Sequence, residues 1–94
     1  MGTDGKYVAA YDVSDDLERA RVCKVLRGFG FSVQKSVFEC RLTKSSKSKL
    51  QERLQELNLE TGCVFIYRLN EKAKRIAVGK APVLEQDEGY AFIA

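Results

Sequence analysis

Asp12 is the residue of this sequence best placed to do chemistry. It follows the apolar residues 7–11 directly and precedes Ser14, Asp15 and Asp16. The apolar segment predicts a strand, and the polar cluster after it predicts the start of a helix. A side chain at such a junction is presented at the edge of a sheet by a fixed backbone, and a carboxylate there suits a metal ion or a phosphate-bearing partner.

The sequence contains no histidine. The commonest general base and transition-metal ligand is therefore absent, so any chemistry must rest on carboxylates, hydroxyls and a hard cation such as Mg²⁺ or Mn²⁺. A Mg²⁺ site usually draws on one or two carboxylates with waters and substrate phosphate, and a two-fold axis near Asp12 would supply the second. The plainer alternative is that these acids stabilise a helix N-terminus. We adopt it for Asp15 and Asp16, and the metal-binding interpretation for Asp12.

Length and composition bound the class of protein. The 94 residues predict one domain whose own core is marginal, so that dimerisation is a natural remedy. A hydrophobic content of 45% with 31% charged residues is typical of a folded soluble protein, and the net charge of +3 does not by itself indicate nucleic-acid binding. The sequence has no apolar run of about 18 residues and no signal-peptide core, so we expect a cytoplasmic protein without a membrane partner.

The three cysteines, Cys23, Cys40 and Cys63, are odd in number and lack the CxxC spacing. Each falls in an apolar segment, which predicts small buried side chains. Neither a zinc site nor a disulfide is indicated.

Hydrophobic periodicity and capping signals predict the order βαββαβ with an extra C-terminal strand. The first helix should begin near Asp15, with Glu18 completing a capping box, and should stop at Gly30. A change of alternation near residues 35–36 predicts a hairpin or bulge, and Thr43 should cap the second helix. The expected strands cover residues 6–12, two segments within 31–42, and residues 63–67, 75–79 and 90–93. This order is that of an α+β ferredoxin-like sandwich, with two helices on one face of an antiparallel sheet.

Residues 1–94 are expected to form this single domain, with a flexible N-terminus at 1–5 and a tail at 80–94 that carries the extra strand. Residues 63–67 are apolar on both faces of their strand, whereas an antiparallel sheet with one wet face should alternate. A second copy of the chain is the economical cover for the second face. We therefore expect a homodimer in which the tail strand adds to the sheet edge of the partner.

Three short motifs follow one another at a characteristic spacing. They are Tyr11-Asp12-x-Ser14-Asp15-Asp16, Arg19-x-Arg21 and, after Gly30, Gln34-x-Ser36-Val37-Phe38-Glu39-Cys40. This arrangement resembles the CRISPR-associated endoribonuclease family, the small "Cas two" proteins of spacer acquisition. The likeness covers nearly the whole chain.

The resemblance implies a homodimer of ferredoxin-like protomers in which the first-strand aspartates of both subunits face a cleft and bind a divalent cation. Asp12 occupies that position. The residues that line the cleft or its approach would be Arg19, Arg21, Ser36 and Phe38. The arginines would bind phosphate, and Phe38 would shape the cleft or contact a base. A core or interface position for Phe38 is an equally open alternative.

By the same resemblance, the function is that of a metal-dependent endonuclease on single-stranded RNA, double-stranded DNA or both, which takes part in spacer acquisition with the CRISPR integrase. The alternative is a non-catalytic dimeric scaffold that bridges integrase dimers and presents basic side chains to a DNA backbone. The residues expected to form that basic surface are Lys24, Arg27, Lys44, Lys47 and Lys49. Asp12 would be indispensable in the first case and dispensable for integration in the second.

Overall fold

The chain folds into a four-stranded antiparallel sheet with two helices, followed by two short strands. The computed structural model describes residues 4–74, 76–80 and the backbone of 91–93. Its elements are β1 (Gly5–Val13), α1 (Asp16–Arg27), β2 (Gly30–Gln34), β3 (Val37–Leu42), α2 (Lys44–Gln55), β4 (Gly62–Leu69), β5 (Ile76–Val78) and β6 (Ala91–Ile93). The βαββαβ order of an α+β ferredoxin-like fold is therefore confirmed, and β5 and β6 lie C-terminal to it.

β1 is a central strand of the main sheet, whose strand order is β2-β3-β1-β4. It pairs antiparallel with β3 over residues 5–10 and with β4 over residues 6–13. Strands that are distant in sequence become neighbours because α1 connects β1 to β2 and α2 connects β3 to β4. The end of β1 therefore lies within the sheet, next to the start of β4.

One face of this sheet packs against both helices. Alternate residues of β1 and β3 are buried there, because successive side chains of a strand point to opposite faces. The core consists of Tyr7, Ala9, Val13, Val22, Leu26, Phe38, Cys40, Leu42, Leu50 and Leu54. Burying a side chain such as Leu26 or Leu50 stabilises the fold by about 1.5–3 kcal/mol.

The opposite face of the sheet, which we call the open face, is apolar where β1 and β4 lie side by side. It is formed by the residues of these strands that alternate with the core positions, among them Val8, Ala10, Asp12, Cys63, Phe65 and Tyr67. Phe65 and Tyr67 are 53% and 54% exposed, so β4 has exposed apolar residues as predicted. The expectation that every cysteine is buried is wrong for Cys63, which is exposed because it alternates with the half-buried Val64.

The first helix begins where predicted, but its capping differs from the prediction. Asp15 is the N-cap residue, and its side chain accepts a hydrogen bond from the backbone N–H of Glu18 at 2.9 Å. The reciprocal half of the capping box is wrong, because the Glu18 carboxylate binds Glu60 and Thr61 instead.

The first helix also ends earlier than predicted. α1 stops at Arg27, and Gly30 is the first residue of β2. The assignment of Gly30 as the helix stop is therefore wrong. Glycine is required at this position because a Cβ atom there would overlap the carbonyl oxygen of Glu39 on the neighbouring strand.

The hairpin and the second helix follow their local signals. The register of β2 against β3 shifts between Ser32 and Gln34, and Ser36 has a φ of 67° in the turn. The sequence predicts a hairpin or a bulge here, and the structure has both. Thr43 caps α2 as predicted: its hydroxyl accepts from the N–H of Ser46, whose own hydroxyl accepts from the Thr43 N–H. These bonds satisfy donors that the first turn of a helix leaves free.

The ends of the chain add little to the main sheet. β1 begins at Gly5, which is buried, so this residue does not belong to a flexible N-terminus. β6, predicted at residues 90–93, pairs in parallel with β5 over Ala91–Ile93. Residues 1–3, 75, 81–90 and 94 lie outside the described residues, and the addition of the tail to a partner's sheet stays a prediction. In the described part of the chain, no helix has the length and apolar character to span a membrane.

Candidate functional site

Asp12 lies near the end of β1 on the open face, and its side chain is exposed. The pairing of β1 with β3 ends at Ala10, apart from one hydrogen bond of 3.0 Å from the Tyr11 N–H to the Ser36 carbonyl oxygen. At Asp12 only β4 supports the strand, through the backbone pair with Cys63. Among the residues that the structure describes, none forms a hydrogen bond or ion pair with the Asp12 carboxylate. The predicted exposed position at a strand-to-helix junction is confirmed.

Arg19 holds the backbone of this junction. Its Nη1 donates to the carbonyl oxygens of Val13 at 3.0 Å and Ser14 at 2.8 Å. Its Nη2 forms an ion pair with Asp16, three residues earlier. The guanidinium is therefore engaged by its own chain. The phosphate contact that the sequence predicts for Arg19 stays a prediction. To bind a phosphate, the guanidinium would have to give up some of its hydrogen bonds to the carbonyl oxygens and Asp16, or share their donors with the phosphate.

Tyr11 joins the β2–β3 turn to α1 beside the junction. Its hydroxyl group interacts with the side chains of Cys23 and Ser36. Burial raises the pKa of Tyr11, and the Cys23 thiol acts in the same direction, so the hydroxyl keeps its proton at neutral pH. The structure thus brings Ser36 next to the strand segment that carries Asp12.

Phe38 lies beneath this site. Its side chain is 1% exposed and belongs to the core. Its ring centroid is 6.5 Å from that of Tyr11. Contact with a base would require the ring to leave the core, so its burial favours the core alternative, in which Phe38 supports Tyr11.

The other cationic residues of the prediction lie on the two helices. Arg21 is exposed on α1 and interacts electrostatically with Glu18. Lys47 is half-buried, with its Nζ 5.6 Å from the centroid of the Tyr7 ring. The exposed members of the set are Lys24, Arg27, Lys44 and Lys49. The helical layer that carries them is on the other side of the sheet from the open face.

Glu18 and Thr61 connect the junction to the start of β4. The Glu18 carboxylate accepts a hydrogen bond from the Glu60 N–H at 2.9 Å, and from the N–H and hydroxyl of Thr61 at 3.0 and 2.6 Å. These bonds, that of the Thr61 hydroxyl first, lower the pKa of Glu18 below its ordinary value. Sequence reasoning missed this contact, because it joins residues 43 positions apart and Glu18 had a local explanation as a capping residue.

The Asp12 carboxylate has the donor chemistry for a hard cation, but it would need further ligands from outside the described residues. The described residues contain no group of three or more His, Cys, Asp or Glu side chains that could enclose a metal ion. Asp12 offers one exposed carboxylate, whereas Mg²⁺ is commonly held by one or two carboxylates with water and substrate phosphate. The oxygen donor suits Mg²⁺ or Mn²⁺. A second copy of the chain would be needed for a pair of carboxylates.

Comparison with known families covers the residues of this site. The sequence model described as CRISPR associated protein Cas2 matches residues 6–76. The chain belongs to the Cas2 family. The match extends from β1 to the start of β5, so it contains every residue predicted for the cleft.

Two proteins named CRISPR-associated endoribonuclease Cas2 show the extent of the similarity. That of Mycobacterium tuberculosis is 35% identical over 93 residues, which cover 97% of this chain and 82% of the relative. That of Thermus thermophilus is 45% identical over 67 residues, which cover 70% of this chain and 71% of the relative. The likeness to the first of these extends over the whole sheet and both helices.

Solved structures show the same fold. A crystal structure of a Cas2 protein matches with a TM-score of 0.76 and 30% identity, over 87% of this chain and 97% of that one. A chain of a partial Cas6–RT–Cas1–Cas2 complex matches with a TM-score of 0.64 and 30% identity, over 71% of this chain and 75% of that one. Members of this fold family thus occur in an assembly that contains Cas1.

Proposed function

We propose that this Cas2 protein is a metal-dependent endonuclease that hydrolyses phosphodiester bonds of single-stranded RNA, double-stranded DNA or both during spacer acquisition. The observation that carries the proposal is the exposed Asp12 carboxylate, which is held by no described side chain and is fixed at the end of a central strand. The relatives that are named endoribonucleases support the same class of reaction.

The proposal requires a homodimer, and the open face favours one. Phe65 and Tyr67 are more than half exposed, and an apolar patch of this kind on a soluble protein commonly marks an interaction site. Asp12 is on the same face of the sheet. A two-fold axis close to this end of the sheet would bring the Asp12 carboxylates of two copies toward each other. The tail strand would add to an edge of the partner's sheet, and β4 is such an edge.

In this dimer each side chain has a separate task. The two Asp12 carboxylates would hold the cation, and Mg²⁺ or Mn²⁺ bound there would supply a Lewis acid and an activated water. Arg21, exposed on α1, binds a phosphate of the incoming strand. Arg19 fixes the carbonyl oxygens on either side of the turn into the helix. Ser36 and Tyr11 form the adjoining wall, which Phe38 supports from the core.

A second candidate function is a non-catalytic scaffold. The similarity to a chain from a complex containing Cas1 and Cas2 favours a dimer that bridges copies of the CRISPR integrase. Exposed basic residues of the helices would then contact DNA phosphates, and Lys47 would join them by leaving the Tyr7 ring. Asp12 would have no role in this binding.

Substitution of Asp12 distinguishes the two functions. Asp12→Ala should abolish Mg²⁺-dependent cleavage of RNA and duplex DNA and leave the Tm nearly unchanged, because the side chain is exposed and has no described partner. The matched control is Asp4→Ala, which removes another exposed carboxylate just before β1. Cleavage is measured with Mg²⁺ and with EDTA.

Two outcomes of this experiment would overturn the nuclease proposal. One is cleavage by Asp12→Ala at the wild-type rate. The other is the absence of metal-dependent cleavage by the wild-type protein, together with spacer integration that Asp12→Ala supports as well as wild type does. The second outcome would establish the scaffold function.

A further inference from the structure

At the Asp12 segment, β1 is paired on one side. β3 offers no ladder partner beyond Ala10, and β4 alone continues as far as the pair of Val13 with Gly62. The chain then turns into α1. An exposed strand end of this kind frays unless further contacts fix it, because single exposed hydrogen bonds contribute little.

Thr61 supplies such contacts. Its carbonyl oxygen accepts hydrogen bonds from the N–H of Ser14 at 3.1 Å and from the Ser14 hydroxyl at 3.0 Å. Its hydroxyl accepts from the Asp15 N–H at 3.1 Å and donates to Glu18 at 2.6 Å. Its own N–H donates to Glu18 at 3.0 Å. One residue therefore connects the end of β1, the N-cap of α1 and the first turn of that helix.

The residue after Thr61 is in direct contact with Asp12. A Cβ atom at Gly62 would overlap the Asp12 carbonyl oxygen, so β4 approaches this part of β1 as closely as a backbone can. Any displacement of the segment 61–62 is consequently passed to Asp12.

We infer that Thr61 and Glu18 form a clasp that positions the Asp12 carboxylate for metal binding. The inference rests on the proposed function, because it assigns these residues a role toward the Asp12 site. The hydrogen bonds of the clasp are exposed, so each adds little to folding stability. They converge on the side chains of Thr61 and Glu18, which connect three segments of the chain. They therefore restrict the orientation of the end of β1 that carries Asp12. Metal ligands must be held within about 0.5 Å of their productive position, which is the precision such a clasp provides.

The variant that tests the clasp is Thr61→Val, which keeps the shape of the side chain and removes the hydroxyl. Thr61→Ser keeps the hydroxyl and is the conservative rescue. The probe is Mn²⁺ alone, and its affinity is read from paramagnetic broadening of the Asp12 amide signal in NMR spectra of the protein without nucleic acid. We expect Thr61→Val to weaken Mn²⁺ binding about tenfold and Thr61→Ser to remain within about twofold of wild type.

Glu18→Gln is a second, independent variant. The amide nitrogen of glutamine cannot accept the hydrogen bond from the Glu60 N–H, so Mn²⁺ binding should weaken here as well. Because this change also removes a negative charge, its matched control is Glu60→Gln, which removes a charge next to Thr61 and keeps the backbone N–H that Glu18 binds. The control should bind Mn²⁺ as wild type does. Hydrogen exchange of the Asp15 N–H in the metal-free protein should be faster in Thr61→Val than in Thr61→Ser.

The outcomes separate the clasp from the metal site. If Thr61→Val and Glu18→Gln bind Mn²⁺ at Asp12 as tightly as wild type, the inference is overturned and the metal site of the proposed function stands. If the wild-type protein shows no broadening at Asp12, the metal site fails and the role of the clasp fails with it. An equal loss in Thr61→Ser and Glu60→Gln would assign the effect to charge and packing and would also overturn the inference.

Discussion

Arg19 and Glu18 are consecutive residues of α1 that hold the same junction from two sides. Arg19 binds the carbonyl oxygens of Val13 and Ser14, and Glu18 binds the segment before β4. Side chains of opposite charge thus satisfy backbone groups that no regular element pairs. A guanidinium used in this way has few donors left for a ligand, so we assign phosphate binding in the proposed site to Arg21 and positioning to Arg19.

Arg19→Ala should reduce the free energy of unfolding by about 1 kcal/mol, because two carbonyl oxygens lose a charged donor in a partly exposed setting. For a domain of this size, that change lowers the Tm by roughly 4–8 °C. The matched control is Arg21→Ala, exposed on the same helix, which should leave the Tm nearly unchanged. An equal decrease in Tm for both variants, measured by thermal melts, would contradict the assignment of a positioning role to Arg19.

Glu18 should make part of the stability sensitive to acid. Hydrogen bonds from the Thr61 hydroxyl and then from the Glu60 N–H lower its pKa below the ordinary value of 4.5. A carboxyl group whose pKa is lower in the folded state contributes stability above its unfolded pKa, and this contribution is lost as the pH falls through the folded pKa. The Tm of wild type should exceed that of Glu18→Gln at pH 7, and the difference should close below about pH 4.5. A difference that stays constant between pH 7 and about pH 3 would argue against this linkage.

At the scale of the elements, the approach of β2 to β3 depends on Gly30. Gly30→Ala should destabilise the fold by about 2–3 kcal/mol, because the added Cβ overlaps the carbonyl oxygen of Glu39 and crowds Cys40. The matched control is Gly28→Ala, where the backbone is helical and the nearest atom is the Val25 carbonyl oxygen at 3.3 Å. That change should be neutral or slightly stabilising. Urea denaturation measures both, and equal stabilities would refute the packing argument.

The elements that follow from local signals could be predicted from the sequence, and contacts between distant residues could not. The Thr43 cap depends on residues three positions apart, which a sequence displays directly. Gly30 resembled a helix stop in the sequence. The reason that glycine is needed there is the close approach of a neighbouring strand, which the sequence does not display. The partnership of Glu18 with Thr61 and the exposure of Cys63 depend on which face of β4 meets the helices, and a strand that is apolar on both faces does not reveal this.

The site was predictable to a similar extent. The junction at Asp12 follows from an apolar strand and a capping residue, both local features. The position of Phe38 could not be chosen from the sequence, because an aromatic ring on a kinked strand suits a core and a cleft equally well. Its 1% exposure in the structure favours the core.

At the scale of the whole molecule, the described residues of the chain cover only part of the open face. A groove of about 770 Å³ lies over the start of β1 and the β2–β3 hairpin, and residues 71–74 form one of its walls. These residues are tied down by a hydrogen bond from the Lys6 Nζ to the Ala73 carbonyl oxygen at 3.0 Å and by an ion pair between Arg41 and Glu71. The part that carries Phe65, Tyr67 and Asp12 remains exposed, and it is there that the proposed second copy would bind.

Replacement of the exposed rings tests this assembly. Wild type should sediment as a dimer at micromolar concentration, and the double variant Phe65→Ser/Tyr67→Ser should sediment as a monomer with its fold intact, because the rings lie outside the core. If each half-exposed ring contributes about 1 kcal/mol, the four rings of a dimer account for about 4 kcal/mol, or roughly a thousandfold in the dissociation constant. Removal of residues 90–94 should weaken the dimer as well.

The matched control for this experiment is Leu17→Ser, because Leu17 is 59% exposed but lies on α1 and not on the open face. The dissociation constant of the Leu17→Ser dimer should equal that of the wild-type dimer. A wild-type protein that is monomeric at micromolar concentration, or a double variant that dimerises as tightly as wild type, would show that the open face is not the interface. Such a result would also remove the second carboxylate from the Asp12 site, where the described residues of one chain form no group of three or more side chains that could hold a metal ion.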